Sequence, residues 1–133
     1  MKEFRLDIVT PDGLKLSDTV ESLLLRTTEG ECELLAGHVD FIASVGTGRA
    51  RIRKDGGDTL ASISRGIITV KGGEVTLAAV TFEFADDIDV ARAKRAKTEA
   101  EERIKNAKDD RALALAEAKL ERAIARISVA QMK

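Results

Sequence analysis

Apolar and polar positions alternate in twos over the first two-thirds of the chain. Phe4, Leu6 and Ile8 alternate with Arg5 and Asp7, and Arg49, Arg51 and Arg53 alternate with Ala50 and Ile52. Successive strand side chains point to opposite faces, so each run has one dry face and one wet face. Turn signals separate the runs: Pro11-Asp12-Gly13, Glu29-Gly30, Gly37, Gly46-Thr47-Gly48, Asp55-Gly56-Gly57 and Gly72-Gly73. The last of these joins Ile67–Lys71 to Glu74–Val80 as a hairpin, because glycine tolerates the positive φ that such turns need. Many short strands at close spacing predict a sandwich or a flattened barrel.

Near residue 86 the period changes. All ten glycines and the only proline precede this point, and none follows it. Ala93, Ala96, Ala100, Ile104 and Ala107 fall on one helical stripe, and Leu113, Ala116, Leu120, Ala123, Ile124 and Ile127 on another. Lys108-Asp109-Asp110 interrupts them, and either aspartate can cap the helix that follows. Two helices with a short polar connection predict an antiparallel hairpin. The fold class expected is therefore α+β, with a β-sandwich domain over residues 1–85 and a helical-hairpin domain over 86–133. Twelve of the 46 residues from Ile88 onward are alanine. Alanine favours helix but buries little apolar area, so the helices should form readily while their mutual contact stays weak.

Composition narrows the functional classes. Residues 1–85 carry a balance of −3 and residues 86–133 a balance of +2, so the helical part mildly favours an anionic partner. The absence of Trp and Tyr argues against base stacking, and the arginine strand at 49–53 reads better as a solvated or protein-facing surface than as a nucleic-acid interface. One His and one Cys cannot form a closed metal site, so no metal is expected. His38 reads as a turn or packing residue and Cys32 as a small buried hydrophobe, since no base can be named to activate it. Gly46-x-Gly48 lacks the Gly-Lys-Ser/Thr of a phosphate loop. With no nucleophile–base pair, no catalytic residue is assigned and the chain is expected to be non-catalytic. The N-terminus lacks a basic-then-apolar signal pattern and apolar runs are short, which predicts a cytoplasmic chain.

Several stretches, taken in order, are specific. Asp7-Ile8-Val9-Thr10-Pro11-Asp12-Gly13, Thr28-Glu29-Gly30-Glu31, Leu34-Leu35-Ala36-Gly37-His38, Ser64-Arg65-Gly66-Ile67 and Ile88-Asp89-x-x-Arg92-Ala93 precede an alanine-rich helical pair. In this order the chain resembles the epsilon subunit of bacterial F-type ATP synthases along essentially its whole length. The resemblance implies a ten-stranded β-sandwich followed by two helices. It implies docking on the gamma subunit of the central stalk and on the membrane c-subunit ring, at the cytoplasmic face of the cell membrane. It also implies that the helices reach the catalytic beta and alpha subunits and inhibit ATP hydrolysis. Some bacterial members bind ATP as a regulatory ligand on the folded hairpin, which carries over to Glu83, Asp89, Arg92, Ala93, Arg122 and Arg126. Three guanidiniums can hold a triphosphate through bidentate bonds, and Glu83 and Asp89 can accept from an adenine amino group or ribose hydroxyls. Glu99 stands where ATP-binding relatives have a further arginine, which lowers the expected affinity; Arg95 or Arg103, about one turn away, can offset it. The alternatives are a free-standing ATP-sensing module and a sandwich adaptor with constitutively paired helices.

Overall fold

The structure is a computed structural model that describes residues 2–132; Met1 and Lys133, the outermost residues of the two expected ranges, lie outside the described residues. Eight strands precede two helices: β1 (Phe4–Thr10), β2 (Gly13–Val20), β3 (Ser22–Thr27), β4 (Gly30–Leu35), β5 (Phe41–Val45), β6 (Gly48–Lys54), β7 (Gly57–Lys71) and β8 (Glu74–Phe84). A short 3-10 turn, Ala85–Asp87, leads into α1 (Val90–Lys105) and α2 (Asp110–Met132).

Strand order is β2-β1-β8-β7-β5-β3-β4, and β6 joins β3 to the first half of β7. All pairings are antiparallel except β1 with β8. The sheet thereby turns back on itself as a sandwich around one core that includes Leu6, Ile8, Leu23, Leu25, Ile63 and Leu77. The alternation read from the sequence produces this directly: in β1, Phe4, Leu6 and Ile8 are buried while Arg5 is exposed.

The expectation of ten strands is corrected to eight. β7 is 15 residues long and serves two neighbours, pairing with β6 up to Ile63 and with β5 from Gly66. Its register with β8 is constant from Ala61↔Phe84 to Lys71↔Glu74, with no pair at Arg65. The count of ten came from the resemblance and not from the turn signals; Gly66 lies inside β7, where the strand's partner changes from β6 to β5. It marks a close approach, since a Cβ there would overlap the Ala78 carbonyl oxygen and lie 3.0 Å from Ala79 Cα. The hairpin at Gly72-Gly73 forms as read, with φ of 59° and 82° closing a two-residue loop.

The helices pack on each other through Ala93, Ala100, Ala116 and Ala123, all buried. Asp109 is the capping aspartate of the second helix, its Oδ1 accepting from Ala112 N at 2.7 Å. Ile124, assigned to the inner stripe from its spacing, is 47% exposed and lies instead along a groove beside the sandwich. No described helix is long and apolar enough to cross a membrane.

Candidate functional site

The end of β8, the 3-10 turn and the first turn of α1 meet the last third of α2. Asp89 takes an extended backbone and caps α1, its Oδ1 accepting from Arg92 N at 3.0 Å. This cap explains why a helix begins at the Ile88-Asp89-x-x-Arg92-Ala93 element: the side chain satisfies one of the first-turn N–H groups that have no intrahelical acceptor. It also leaves Arg92 and Ala93 on the first turn, where Ala93 is buried against the second helix and Arg92 is exposed.

Glu83, Asp87, Asp89, Arg92, Ala93 and Arg126 line one cleft of about 120 Å³. An adjoining cleft of about 220 Å³ runs between the helices and is lined by Ala96, Glu99, Ala100, Arg103, Lys119, Arg122 and Arg126. Arg126 belongs to both. Of the six residues singled out in the sequence, five therefore share one cleft, and Arg122 sits in its neighbour. Arg126 Nε is 3.0 Å from Glu83 Oε1, an ion pair between two side chains about one-third exposed. The approach is too far off line for a hydrogen bond, and Glu83 Oε1, shut away from solvent, accepts none among the described residues.

The two clefts differ in charge. The first combines three carboxylates with two guanidiniums, and the second combines four cations with Glu99 alone. Acceptors at one end and cations at the other suit a ligand with donor groups at one end and a polyanion at the other. Arg103 lines the second cleft; Arg95 is exposed and does not. Lys119 also lines it and was missed, since a single lysine on a charged helix carries no signal in spacing alone.

Elsewhere the bland readings fit the geometry. His38 lies against Phe41 with ring centroids 5.0 Å apart, and its Nδ1 donates to the Val39 carbonyl at 3.0 Å. Cys32 is half-buried on the sandwich core, and that burial pushes its thiol above the ordinary value. Arg51 pairs with Glu33 at 3.2 Å, Arg53 with Asp58 at 2.8 Å and Arg49 donates to Met132 Sδ at 3.3 Å, so all three strand arginines are engaged within the chain. Among the described residues, no group of three or more His, Cys, Asp or Glu is placed to hold a metal.

Comparison with known proteins gives a consistent result. Residues 3–85 match the family described as ATP synthase, Delta/Epsilon chain, beta-sandwich domain, and residues 86–131 match its long alpha-helix domain. The chain is similar to the ATP synthase epsilon chain of Bacillus velezensis, 38% identical over 98% of both chains, and to that of Ruminococcus albus, 39% identical over the full length of both. Its fold is similar to a chain in the mitochondrial ATP synthase of Euglena gracilis (OSCP/F1/c-ring), with a TM-score of 0.82, 24% identity and coverage of 97% of this chain and 81% of that one. A chain of the Tetrahymena thermophila mitochondrial ATP synthase central stalk and c-ring has a TM-score of 0.66, 11% identity and 97% coverage of each.

Proposed function

The chain belongs to the ATP synthase delta/epsilon family, and from that premise we propose that it is the central-stalk epsilon subunit of a proton-translocating rotary ATP synthase, whose helical pair inhibits ATP hydrolysis and takes up ATP when folded down. As an epsilon chain it contributes no catalytic residue of its own; the work it does is docking and regulation. The observation that carries the nucleotide part is the convergence of Glu83, Asp89, Arg92, Ala93 and Arg126 on one cleft, continuous through Arg126 with a second cleft holding Arg122. An adenosine moiety is assigned to the carboxylate end and the triphosphate to the cation end.

The sandwich supports the docking role through its outer face. Leu14 pairs with Val9, Val9 with Ala78, and Ala78 with Ile67 across four adjacent strands. Leu14, Ile67 and Val80 are exposed on these strands at 63%, 53% and 59%, and Ile42 on the neighbouring β5 at 73%. An apolar row of that width on a folded surface marks a protein contact, and the gamma subunit of the stalk is its assigned occupant. The membrane c-subunit ring and the catalytic beta and alpha subunits, the latter reached by the extended helices, complete the partner set. The subunit is then peripheral to the membrane, on its cytoplasmic face.

Hydrolysis by the assembled enzyme is the decisive measurement. Removing residues 88–133 should raise ATP hydrolysis while leaving proton coupling largely intact; unchanged hydrolysis at every ATP concentration removes the inhibitory role. Isothermal titration of the isolated chain with ATP tests the clefts, and absence of heat at millimolar nucleotide removes the ATP site.

A further inference from the structure

The helical pair and the sandwich are joined by a second, smaller core. Ala85, Ile88 and Val129 are its buried members, with Leu60, Val90 and Ala130 packed against them. Leu60 comes from β7, Ala85 from the 3-10 turn, and Ile88 and Val90 from the entry to α1, so the socket is built largely from the junction segment itself. Val129 of α2 fills it and is 0% exposed. Among the described residues of both helices, every other buried side chain is an alanine.

Two further contacts lie one turn to either side. Arg126 faces Glu83 at the end of β8, and Met132 Sδ accepts from Arg49 Nη1 on β6 at 3.3 Å. Residues 126, 129 and 132 recur at helical spacing and share a face. That face grips β8, the junction and β6 at once, and none of the three contacts requires a nucleotide.

We infer that Val129 is a latch: seated in the junction socket, it holds α2 down on the sandwich without nucleotide and sets Arg126 opposite Glu83. The latch stands on packing alone; its consequence for hydrolysis rests on the function proposed above. In this arrangement the folded-down state is the resting state of the free chain. ATP adds to a conformation that already exists, as a ligand favouring one of two pre-existing states does. Withdrawal of one valine opens the hairpin at its root, because the socket is the same segment about which the helices must turn.

The test is amide hydrogen exchange over residues 126–132 of the full chain without nucleotide, together with far-ultraviolet circular dichroism. Val129→Ala removes two methyl groups from a dry socket, and exchange in this segment should accelerate about ten-fold. Alanine is the better helix former, so the helical signal should be kept; a loss of docking is thereby separated from a loss of helix. Leu60→Ala, on the opposite wall of the socket, should accelerate the same amides, and Leu115→Ala, exposed on α2, should not. Protection in the unsubstituted chain that appears only with ATP overturns the latch, as does exchange unaltered by both Val129→Ala and Leu60→Ala. ATP titration of the same samples distinguishes the two readings. A chain protected without ATP that takes up none keeps the latch and loses the nucleotide site, and a chain protected only with ATP does the reverse.

Discussion

Asp89 has two duties that substitution can separate. Its Oδ1 accepts from Arg92 N at 3.0 Å and caps α1, and the same residue lines the cleft assigned to adenosine. Asp89→Ala removes the acceptor and leaves a first-turn N–H group without its intramolecular partner, which costs about 1 kcal/mol, roughly a five-fold change in an equilibrium constant. Asp89→Asn keeps a side-chain oxygen of the same reach. It gives up only the negative charge at the positive end of the helix, worth about 0.3–1 kcal/mol when exposed, and Asp89 is exposed. Thermal unfolding of the full chain followed at the helical circular dichroism band should therefore rank the two variants, with the alanine form melting lower. ATP titration should follow the same order, because the cleft is formed by the turn that the cap holds in place. An asparagine form that melts as low as the alanine form would show that charge, and not the capping bond, supports this helix start, and the cap argument would fail.

Gly66→Ala should lower the melting temperature of the sandwich sharply, because the new methyl must displace the Ala78 backbone, whereas Gly46→Ala, which meets nothing within 4 Å, should be tolerated in the same melt. Arg103→Ala should weaken ATP binding in titration calorimetry and Arg95→Ala should leave it unchanged, since only Arg103 lines the cationic cleft. Acid should reveal two surface pairs. Hydrogen bonds from Lys54 and then from Thr19 N hold Asp18 below its ordinary 3.8, and the hydrogen bond from Arg53 does the same for Asp58. Depressed folded-state carboxyls contribute stability that is present above 3.8 and lost as pH falls from there through the lowered folded value. The double variant Asp18→Asn/Asp58→Asn should consequently lose less stability than the parent between about pH 5 and pH 2 in denaturant titrations; parallel curves would refute it.

Periodicity reports burial, and the parts of the fold that depend on burial were legible from it. The alternation in β1 and β6, the two-glycine hairpin and the alanine seam of the helices all appear where the pattern places them. The strand count was not: ten came from the resemblance, and the break between β2 and β3 at Glu21 carries no glycine or proline to mark it. Gly66, named only through the resemblance, serves a close approach of backbones within the β7–β8 pairing, whose register is the same on either side of it. Val129 was missed for a related reason. It lies two residues beyond Ile127 and off the stripe that faces α1, since α2 buries two faces, one on α1 and one on the sandwich. A single valine facing a second partner leaves no period to detect. Of the cleft residues, Glu83, Asp89, Arg92, Ala93, Arg122 and Arg126 were named through family resemblance. The split into a carboxylate cleft and a cation cleft, with Arg126 in both, required the packing of the helices.

Arg126 ties the site to the conformational question. It stands between Glu83 on the sandwich and the cation cluster between the helices, and it lies one turn from Val129. A triphosphate drawn into the cation cleft offers Arg126 a charge greater than that of Glu83. The ligand then shares an ion pair that already fixes α2 in place, rather than creating a contact from nothing. A half-buried pair whose buried carboxylate oxygen gains no hydrogen bond among the described residues offsets little of its desolvation cost, and contributes too little to hold a 23-residue helix in place without support. The buried valine and the alanine seam must carry most of the attachment. Small methyl groups let the helices approach closely while limiting the apolar area each contact removes from water. The joint is therefore closed by a few modest contacts at one end, and under the proposed function a partner that prefers the open helices need supply only enough differential affinity to exceed them.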